Sequence, residues 1–405
     1  MITFLLLKRY NREWELRYMN KRDIAHLRKQ FKVDNDMMHI GEIFNVYVQK
    51  ESGEIYHHET QPFDMLDQES QDLFLVNFKK ILTGQLDSRL FELKFNRDVE
   101  DSTQSVLFEG LQTEDKEDWK DYMLDIVDRM FANTVYDFDT VVTFIQGEYR
   151  KPMKKRSAES GEGGNDAVYA NKFILCSLNK TSQPENNLVF DYIGKQFKSN
   201  VEVDPIINLT TPLTGFLFPT FNDNAMDVNH ILYRANKPNQ PDPGFIEDVL
   251  NCGDITTAAE DKDTFQLIVS KIAGDKVDSN VISNIYEEID HIVQEHEEDE
   301  MEDDSPNIDY RGVEHILTSS GIEDVDTEKV KDAFKTVIAN EQHEFKANNL
   351  MPKAVKINTD VANLSLSPKD LKNVKYITYQ GKRCLLIEID DDVEIEGFQL
   401  ETATE

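Results

Sequence analysis

The sequence predicts an α+β protein, with a mixed sheet flanked by helices and a smaller C-terminal α+β unit that ends in a β-hairpin. Helical stripes of apolar residues alternate with strand-like runs in the N-terminal half, whereas the C-terminal tail contains short strand patterns. Apolar residues make up 39% of the 405 residues and include 23 Phe and 14 Tyr. That fraction is sufficient to bury large cores, which excludes wholesale disorder.

The first predicted elements are a helix and a hairpin. Residues 19–31 (MNKRDIAHLRKQF) predict a helix whose N-terminus is capped by Asn20. Strand patterns at 40–49 and 55–60 flank a Glu-Ser-Gly-Glu turn, which indicates a β-hairpin. We expect residues 1–18 to be a spurious extension, because Met19 opens a well-formed helix start. The codons of the preceding Trp-Glu pair also contain a purine-rich string suited to a ribosome-binding site.

Two further helices and a strand follow. Asp67 precedes a helix that Gly84 ends, and its shared apolar face consists of Phe74, Phe78, Ile81 and Leu82. Alternation at 90–95 predicts a strand. Residues 117–131 predict the clearest helix of this half, with an apolar stripe of Trp119, Met123, Ile126, Val127 and Met130.

The centre of the chain predicts two buried strands joined by a long connection. The strands are expected at 139–146 and 173–178, and a flexible loop rich in Gly, Ser and charge is expected at 151–166. Residues 186–200 are polar and predict a loop.

The C-terminal part predicts helices and then strands. A strong apolar stripe predicts a helix at 279–296, followed by short helices near 313–317 and 330–337. Strand patterns at 374–379 and 384–389, joined through Gln-Gly, predict a hairpin.

The length allows two or three domains. We expect a main α+β domain at 19–296, an acidic linker at 297–309 and a C-terminal α+β unit at 310–405. The linker is expected because its acidic residues have almost no apolar neighbours with which to pack.

The charge balance restricts the partners of the chain. Lys and Arg total 44 and Asp and Glu total 77, which gives a formal net charge of -33. A body of this charge repels nucleic acid and anionic membranes over most of its surface. No apolar run approaches the roughly 20 residues of a membrane span, so we expect no membrane association.

Cysteine usage indicates a reducing compartment. The three cysteines, Cys176, Cys252 and Cys384, lie far apart and fit neither a disulfide framework nor a zinc site. We therefore expect reduced thiols and a cytoplasmic location.

The best candidate for a metal site consists of Asp223, Asp227 and His230. The spacing i, i+4 and i+7 places all three on one face of a helix, where they could bind Mg²⁺ or Mn²⁺. The alternative is a capping Asp223 followed by two surface residues. The sequence lacks nucleotide-binding glycine motifs, and no other cofactor is expected.

Two basic patches oppose the overall charge. The first lies in the N-terminal helix and the second in the long loop, and they consist of Lys21, Arg22, Arg28 and Lys29 and of Lys151, Lys154, Lys155 and Arg156. Each patch could bind an anionic partner or pair with carboxylates of the same chain.

From Met19 onward the chain resembles a bacterial family known as domain of unknown function 4317. The resemblance rests on MNKRDIAHLRKQF, FKKILTGQL, FILCSL, GFLFPTFNDN and YQGKRCLLIEID. It implies the length and organisation of the chain but no chemistry. Asp223 fits the family's central motif, whereas Asp227 and His230 do not match fixed positions of it.

We expect a cytoplasmic bacterial protein that acts by interaction or regulation rather than catalysis, with another protein as its partner. The expectation rests on the missing catalytic motifs, the uneven charge and an apolar motif that comprises Phe216, Phe218, Pro219 and Phe221. One alternative is an Mg²⁺- or Mn²⁺-dependent hydrolase of a phosphorylated or other anionic substrate. A second is nucleic-acid binding through the basic N-terminal helix. The oligomeric state stays open.

Overall fold

The computed structural model describes residues 19–400, except for 98, 152–168, 185–186, 201–203, 223–224, 254, 275–276, 299–304, 341 and 391. The predicted α+β class is confirmed. Contacts divide the chain into one compact unit that ends at Thr257 and another that begins at Ala258.

The first unit is built on an antiparallel sheet. Its strands are β1 (Met38–Val48), β2 (Ile55–Pro62), β3 (Leu90–Lys94), β4 (Thr140–Lys151), β5 (Tyr169–Ser182), β6 (Asn187–Asp191), β7 (Gln196–Asn200), β8 (Ile206–Ile207), β9 (Thr214–Phe218), β10 (Thr220–Asn222), β11 (Ala225–Asp227) and β12 (His230–Arg234). The order in the large sheet is β2-β1-β4-β5-β9-β12-β3, and β8 also pairs with β5. Two separate hairpins, β6-β7 and β10-β11, complete the unit.

Helices cover both faces of this sheet. They are α1 (Lys21–Gln30), α2 (Gln68–Ile81), α3 (Thr103–Gln112) and α4 (Lys116–Ala132). The α3–α4 side holds a core that includes Phe44, Phe144, Ile174, Phe216, Leu107, Trp119 and Met123. The α1–α2 side holds a second core that includes Ile43, Ile145, Leu175, Leu217, Leu27, Leu75 and Phe78. The central strands are therefore buried on both faces, which accounts for their continuous apolar runs.

The predicted helix starts are confirmed by their caps. The Asn20 side chain accepts hydrogen bonds from the N–H groups of Arg22 and Asp23, each at 2.8 Å. Asp67 caps α2 by accepting from the N–H of Ser70 at 2.9 Å. Such caps satisfy N–H groups that have no partner inside the helix.

A row of polar positions crosses the α1–α2 face of the sheet. Strand register aligns Asn45, Thr143, Ser177, Gly215 and Arg234 on β1, β4, β5, β9 and β12. Residues directly opposite each other on paired strands point to the same face. The row lies beside the apolar row of Ile43, Ile145, Leu175, Leu217 and Leu232.

Asn77 of α2 closes a hydrogen-bonded ring on this row. Its Nδ2 donates to Asn179 Oδ1 at 2.7 Å, and Asn179 Nδ2 donates to Ser177 Oγ at 3.0 Å. Ser177 Oγ donates to Asn77 Oδ1 at 2.6 Å. The three side chains are fully buried, and the ring satisfies polar groups that would otherwise oppose folding.

The second unit is smaller and has its own core. It contains α5 (Ala258–Ala273), α6 (Ser279–Glu298), β13 (Asn307–Ile308), α7 (Tyr310–Ser319), α8 (Thr327–Val337), β14 (Phe345–Lys346), α9 (Ala347–Leu350), β15 (Val355–Asn358), β16 (Asn363–Leu366), β17 (Val374–Tyr379), β18 (Lys382–Ile387), β19 (Glu394–Ile395) and β20 (Phe398–Gln399). Its core includes Phe265, Ile289, Val313, Phe334 and Phe345.

The division between the units differs from the predicted one at 297–309. Ile285 and Ile289 of α6 are buried in the same core as Val313 and Phe334, so the helix at 279–296 belongs to the second unit. The reason is that its apolar stripe packs on the helices that follow it. Of the predicted linker, residues 299–304 lie outside the described residues.

Several local predictions are confirmed and others are wrong. The Gln380-Gly381 hairpin forms between β17 and β18, with positive φ at both turn residues. A further hairpin, β19-β20, follows it. The polar loop predicted at 186–200 is instead the β6-β7 hairpin, and α3 was not predicted. Of the flexible loop predicted at 151–166, residues 152–166 lie outside the described residues.

None of the helices in the described part of the chain combines the length and apolar character needed to cross a bilayer.

Candidate functional site

The helix proposed to carry the metal site does not form. Asp227 ends β11 and His230 begins β12, with a two-residue turn between them, while Asp223 lies outside the described residues. Residues His230–Arg234 form a buried strand. Side chains of a strand alternate between two faces with a period of two residues, whereas the predicted metal site needs the 3.6-residue period of a helix. The described residues contain no group of three or more His, Cys, Asp and Glu side chains that could hold a metal ion. The metal-dependent hydrolase stays a prediction.

Asp227 and His230 instead form a hydrogen-bonded pair. His230 Nδ1 donates to Asp227 Oδ2 at 2.7 Å, and the N–H of Asn229 donates to Asp227 Oδ1 at 2.9 Å. Burial raises the pKa of Asp227, but these hydrogen bonds outweigh burial and hold the pKa below its ordinary value. The pair therefore stabilises the turn between β11 and β12.

The basic residues of α1 divide into two groups. Arg28 is half-buried, and its Nη1 donates to the carbonyl oxygen of Leu82 at the end of α2. A cation at that position interacts favourably with the helix C-terminus. Lys21, Arg22 and Lys29 are exposed. Nucleic-acid binding through them stays a prediction. In the loop patch, Lys151 is the last residue of β4, and 154–156 lie outside the described residues.

The apolar motif at 216–221 is core rather than a docking surface. Phe216 and Phe218 lie on β9, which pairs with β5 on one side and β12 on the other, and both are fully buried. Pro219 and Phe221 are buried as well. The peptide bond between Phe218 and Pro219 is cis. The prediction that this motif supports an interaction is therefore wrong.

A surface that the sequence reasoning missed lies on the β6-β7 hairpin. The strands pair antiparallel, with Phe190 opposite Phe197 and Leu188 opposite Ser199. These four side chains consequently share one face. Phe190 packs on the rings of Phe197 and Tyr192, each with centroids 5.2 Å apart.

The apolar side chains of this hairpin are exposed. Solvent reaches 75% of Leu188, 42% of Phe190 and 73% of Phe197. In the connecting turn, Tyr192 is 85% exposed and Ile193 is 97% exposed. We call these five residues the apolar hairpin face. A cluster of exposed large apolar side chains of this kind marks interaction sites in soluble proteins.

The opposite face of the hairpin is polar except for Val189, which lies opposite Lys198. Lys198 Nζ lies 2.9 Å from Asp191 Oδ2. The N–H of Gly194 and the ammonium of Lys198 both hydrogen-bond Asp191 and hold the pKa of its carboxyl below the ordinary value. Lys195, exposed in the turn, adds a further positive charge. The hairpin is thus amphipathic, with a fixed turn and one apolar side.

The signal for this hairpin was present in the sequence. Leu188, Val189 and Phe190 form a short apolar run, and Gly194 lies in the turn before Phe197. The run is short, and the surrounding Asn and Lys residues concealed it.

A family model with the description "Domain of unknown function (DUF4317)" matches residues 19–398 of the chain. No curated protein matches it. The description of the matching family assigns no activity.

Proposed function

The chain belongs to the DUF4317 family, and we propose that it is a non-enzymatic interaction protein that binds another protein through the apolar hairpin face. The single observation that carries the proposal is the exposure of five large apolar side chains on one two-stranded element.

Energetics supports a partner for this element. An isolated two-stranded hairpin is marginally stable in water, and it needs a further surface on which to pack its apolar face. Burying a Leu or Phe side chain contributes about 1.5–3 kcal/mol. A partner that covers Leu188, Phe190 and Phe197 therefore gains several such contributions, and it also orders the hairpin.

The charge of the hairpin indicates what the partner surface contains. Asp191 is paired with Lys198, which leaves Lys195 at the turn next to the exposed Ile193. An apolar groove with a carboxylate at its rim fits this arrangement, because rim charges steer association and select partners. We propose a heterologous protein with such a groove.

We also propose that the protein acts in the bacterial cytoplasm. Cys176, Cys252 and Cys384 are free thiols, and Cys176 and Cys252 are fully buried. Free thiols are the ordinary state in a reducing compartment.

The test compares two substitutions on opposite faces of the hairpin. The tagged full-length chain is purified from its native cells, and bound proteins are quantified by mass spectrometry. Phe197→Ser changes the apolar face, and Gln196→Ser is the control, because Gln196 is also exposed but lies on the polar face.

We expect one protein at near-stoichiometric yield with the wild type and with Gln196→Ser, and at least a tenfold lower yield with Phe197→Ser. Equal recovery with both variants contradicts the proposal, and so does the absence of a stoichiometric partner. Sedimentation of the purified chain tests for self-association. A dimer that forms with the wild type and dissociates with Phe197→Ser would show that the occupant of this face is a second copy of the chain and not a heterologous protein.

A further inference from the structure

A buried arginine lies at the end of β12, with no acidic partner in the described part of the chain. Arg234 is 5% exposed, and its strand register places it on the α1–α2 face, directly opposite Gly215. Its Nη1 donates to the carbonyl oxygen of Pro212 at 2.8 Å. Its Nε is buried and has no hydrogen-bond acceptor among the described residues.

A second arginine with the same deficiency lies close by. Arg89 immediately precedes Leu90, which pairs with Arg234 across β3 and β12. Arg89 is half-buried, and its Nη2 donates to the carbonyl oxygen of Asn236. Its Nε is also buried without an acceptor in the described part of the chain.

The two guanidinium groups are near enough to repel each other. Burial, and then the positive charge of Arg89, lower the pKa of Arg234 to about 10. Arg234 nevertheless stays charged at neutral pH. The fold therefore holds two adjacent positive charges whose repulsion an anion would relieve.

Carboxylates do not neutralise this pair within the described residues. The contacts of Arg89 and Arg234 are to backbone carbonyl groups, although the chain contains 77 Asp and Glu. Buried charges in proteins are ordinarily paired, because an unpaired buried charge is strongly destabilising. Lys237, exposed directly after Asn236, adds positive charge to the same segment.

We propose that Arg89 and Arg234 bind a phosphate group of a small phosphorylated ligand. The planar guanidinium presents Nε–H and Nη–H in a fork that matches two oxygens of a phosphate. The unpartnered Nε atoms of both residues supply donors for such a fork. A phosphate dianion also matches the combined charge of two arginines, which a single carboxylate does not.

The test is isothermal titration of the full-length protein with inorganic phosphate, at ionic strength held constant with NaCl. Arg89→Gln removes one guanidinium at a half-exposed position. Arg150→Gln is the matched control, because Arg150 is an exposed arginine that already faces a carboxylate, that of Glu148. Circular dichroism verifies that each variant is folded. Arg234→Lys, which keeps the charge and loses the fork, is the second variant.

We expect phosphate to bind the wild type and Arg150→Gln equally, with at least tenfold weaker binding to Arg89→Gln and to Arg234→Lys. Binding to Arg89→Gln that equals the wild type overturns the proposal, as does the absence of phosphate binding to the wild type. An acetate titration is the remaining arm, and acetate binding as tight as phosphate binding overturns the choice of phosphate.

Discussion

Ser177 makes two of the three hydrogen bonds in the ring on the polar row. Its hydroxyl donates to Asn77 and accepts from Asn179, so it links α2 to the centre of the sheet. A ring of this kind fixes where α2 packs, since a shifted helix would leave buried amides without partners. Polar groups here stabilise one arrangement of an otherwise apolar interface.

Replacing Ser177 with Ala is therefore expected to destabilise the first unit. The substitution leaves Asn77 Oδ1 without its donor and Asn179 Nδ2 without its acceptor. Because a buried unsatisfied group costs about 1–3 kcal/mol, we expect the free energy of unfolding to fall by about that amount in urea denaturation. Ser199→Ala, at an exposed position of the hairpin, is the control and should change it little. Equal stability of the two variants would show that the ring contributes nothing.

Asp227 makes the stability of the folded first unit depend on pH in the acid range. Its pKa is lower in the folded state than in the unfolded chain, so its contribution is fully present above the unfolded pKa of about 3.9. The contribution is lost as the pH falls through the folded-state pKa. Asp227→Asn should therefore lose less stability than the wild type as the pH falls below about 4, measured by urea unfolding at each pH. Asp64→Asn, at an exposed position, is the control.

At the scale of elements, Gly215 determines how closely α2 approaches β9. A Cβ at this position would lie 2.3 Å from the carbonyl oxygen of Cys176 and 2.6 Å from Ile81 Cδ1. The carbonyl belongs to the neighbouring strand and cannot move without disturbing the sheet. Glycine is therefore required by the packing and not by backbone conformation.

We expect Gly215→Ala to lower the melting temperature by several degrees or to prevent folding, since overpacking of a core typically costs about 1–3 kcal/mol. Gly41→Ala is the control in β1, where the added Cβ would lie at an ordinary 3.6 Å from the carbonyl oxygen of Gln146. Differential scanning calorimetry of both variants measures the effect. A Gly215→Ala protein that melts with the control would refute the packing argument.

Most elements could be predicted from the sequence because local signals agree with the final packing. Caps such as Asn20 and Asp67, and the Gln380-Gly381 turn, act within a few residues of chain. The spacing of Asp227 and His230 led to the wrong prediction of a helix, because the two residues in fact flank a turn between strands β11 and β12. His230 pairs with Lys94 of β3, a strand that is distant in sequence and that local periodicity does not reveal.

The candidate surfaces were harder to predict than the elements. The phenylalanines of β9 are buried, whereas those of β6-β7 are exposed. What distinguishes them is whether another strand pairs alongside, which is a property of topology. The closeness of Arg89 and Arg234 depends on topology in the same way, because the pairing of β3 with β12 brings them together.

At the scale of the molecule, each unit has its own apolar core. The first unit buries both faces of its large sheet, and the second buries a helical cluster around Phe334. The predicted boundary followed the acidic charge, whereas the observed boundary follows the packing of α5 and α6. Charge indicates where a chain is solvated, but the burial of apolar stripes determines which helices belong together.

Separate cores predict separate responses to a core substitution. Phe334→Ala should destabilise the second unit by about 3–5 kcal/mol, because it empties a fully buried site. Hydrogen exchange should then increase in α5 to α8 while β4, β5 and β9 keep their protection. Leu267→Ala, at a position 59% exposed, is the control on α5. Increased exchange throughout the large sheet would instead mean that the two units unfold together.

The position of β3 has a consequence for synthesis on the ribosome. This strand pairs only with β12 among the described strands, although most of the first unit separates them in sequence. A nascent chain therefore carries Phe91 and Leu93 without their partner strand until residues 230–234 have been synthesised. Such late closure is slow and exposes apolar edges to aggregation. We expect ribosome-bound chains that end before His230 to bind chaperones. Chains that extend past Thr257 should no longer bind them.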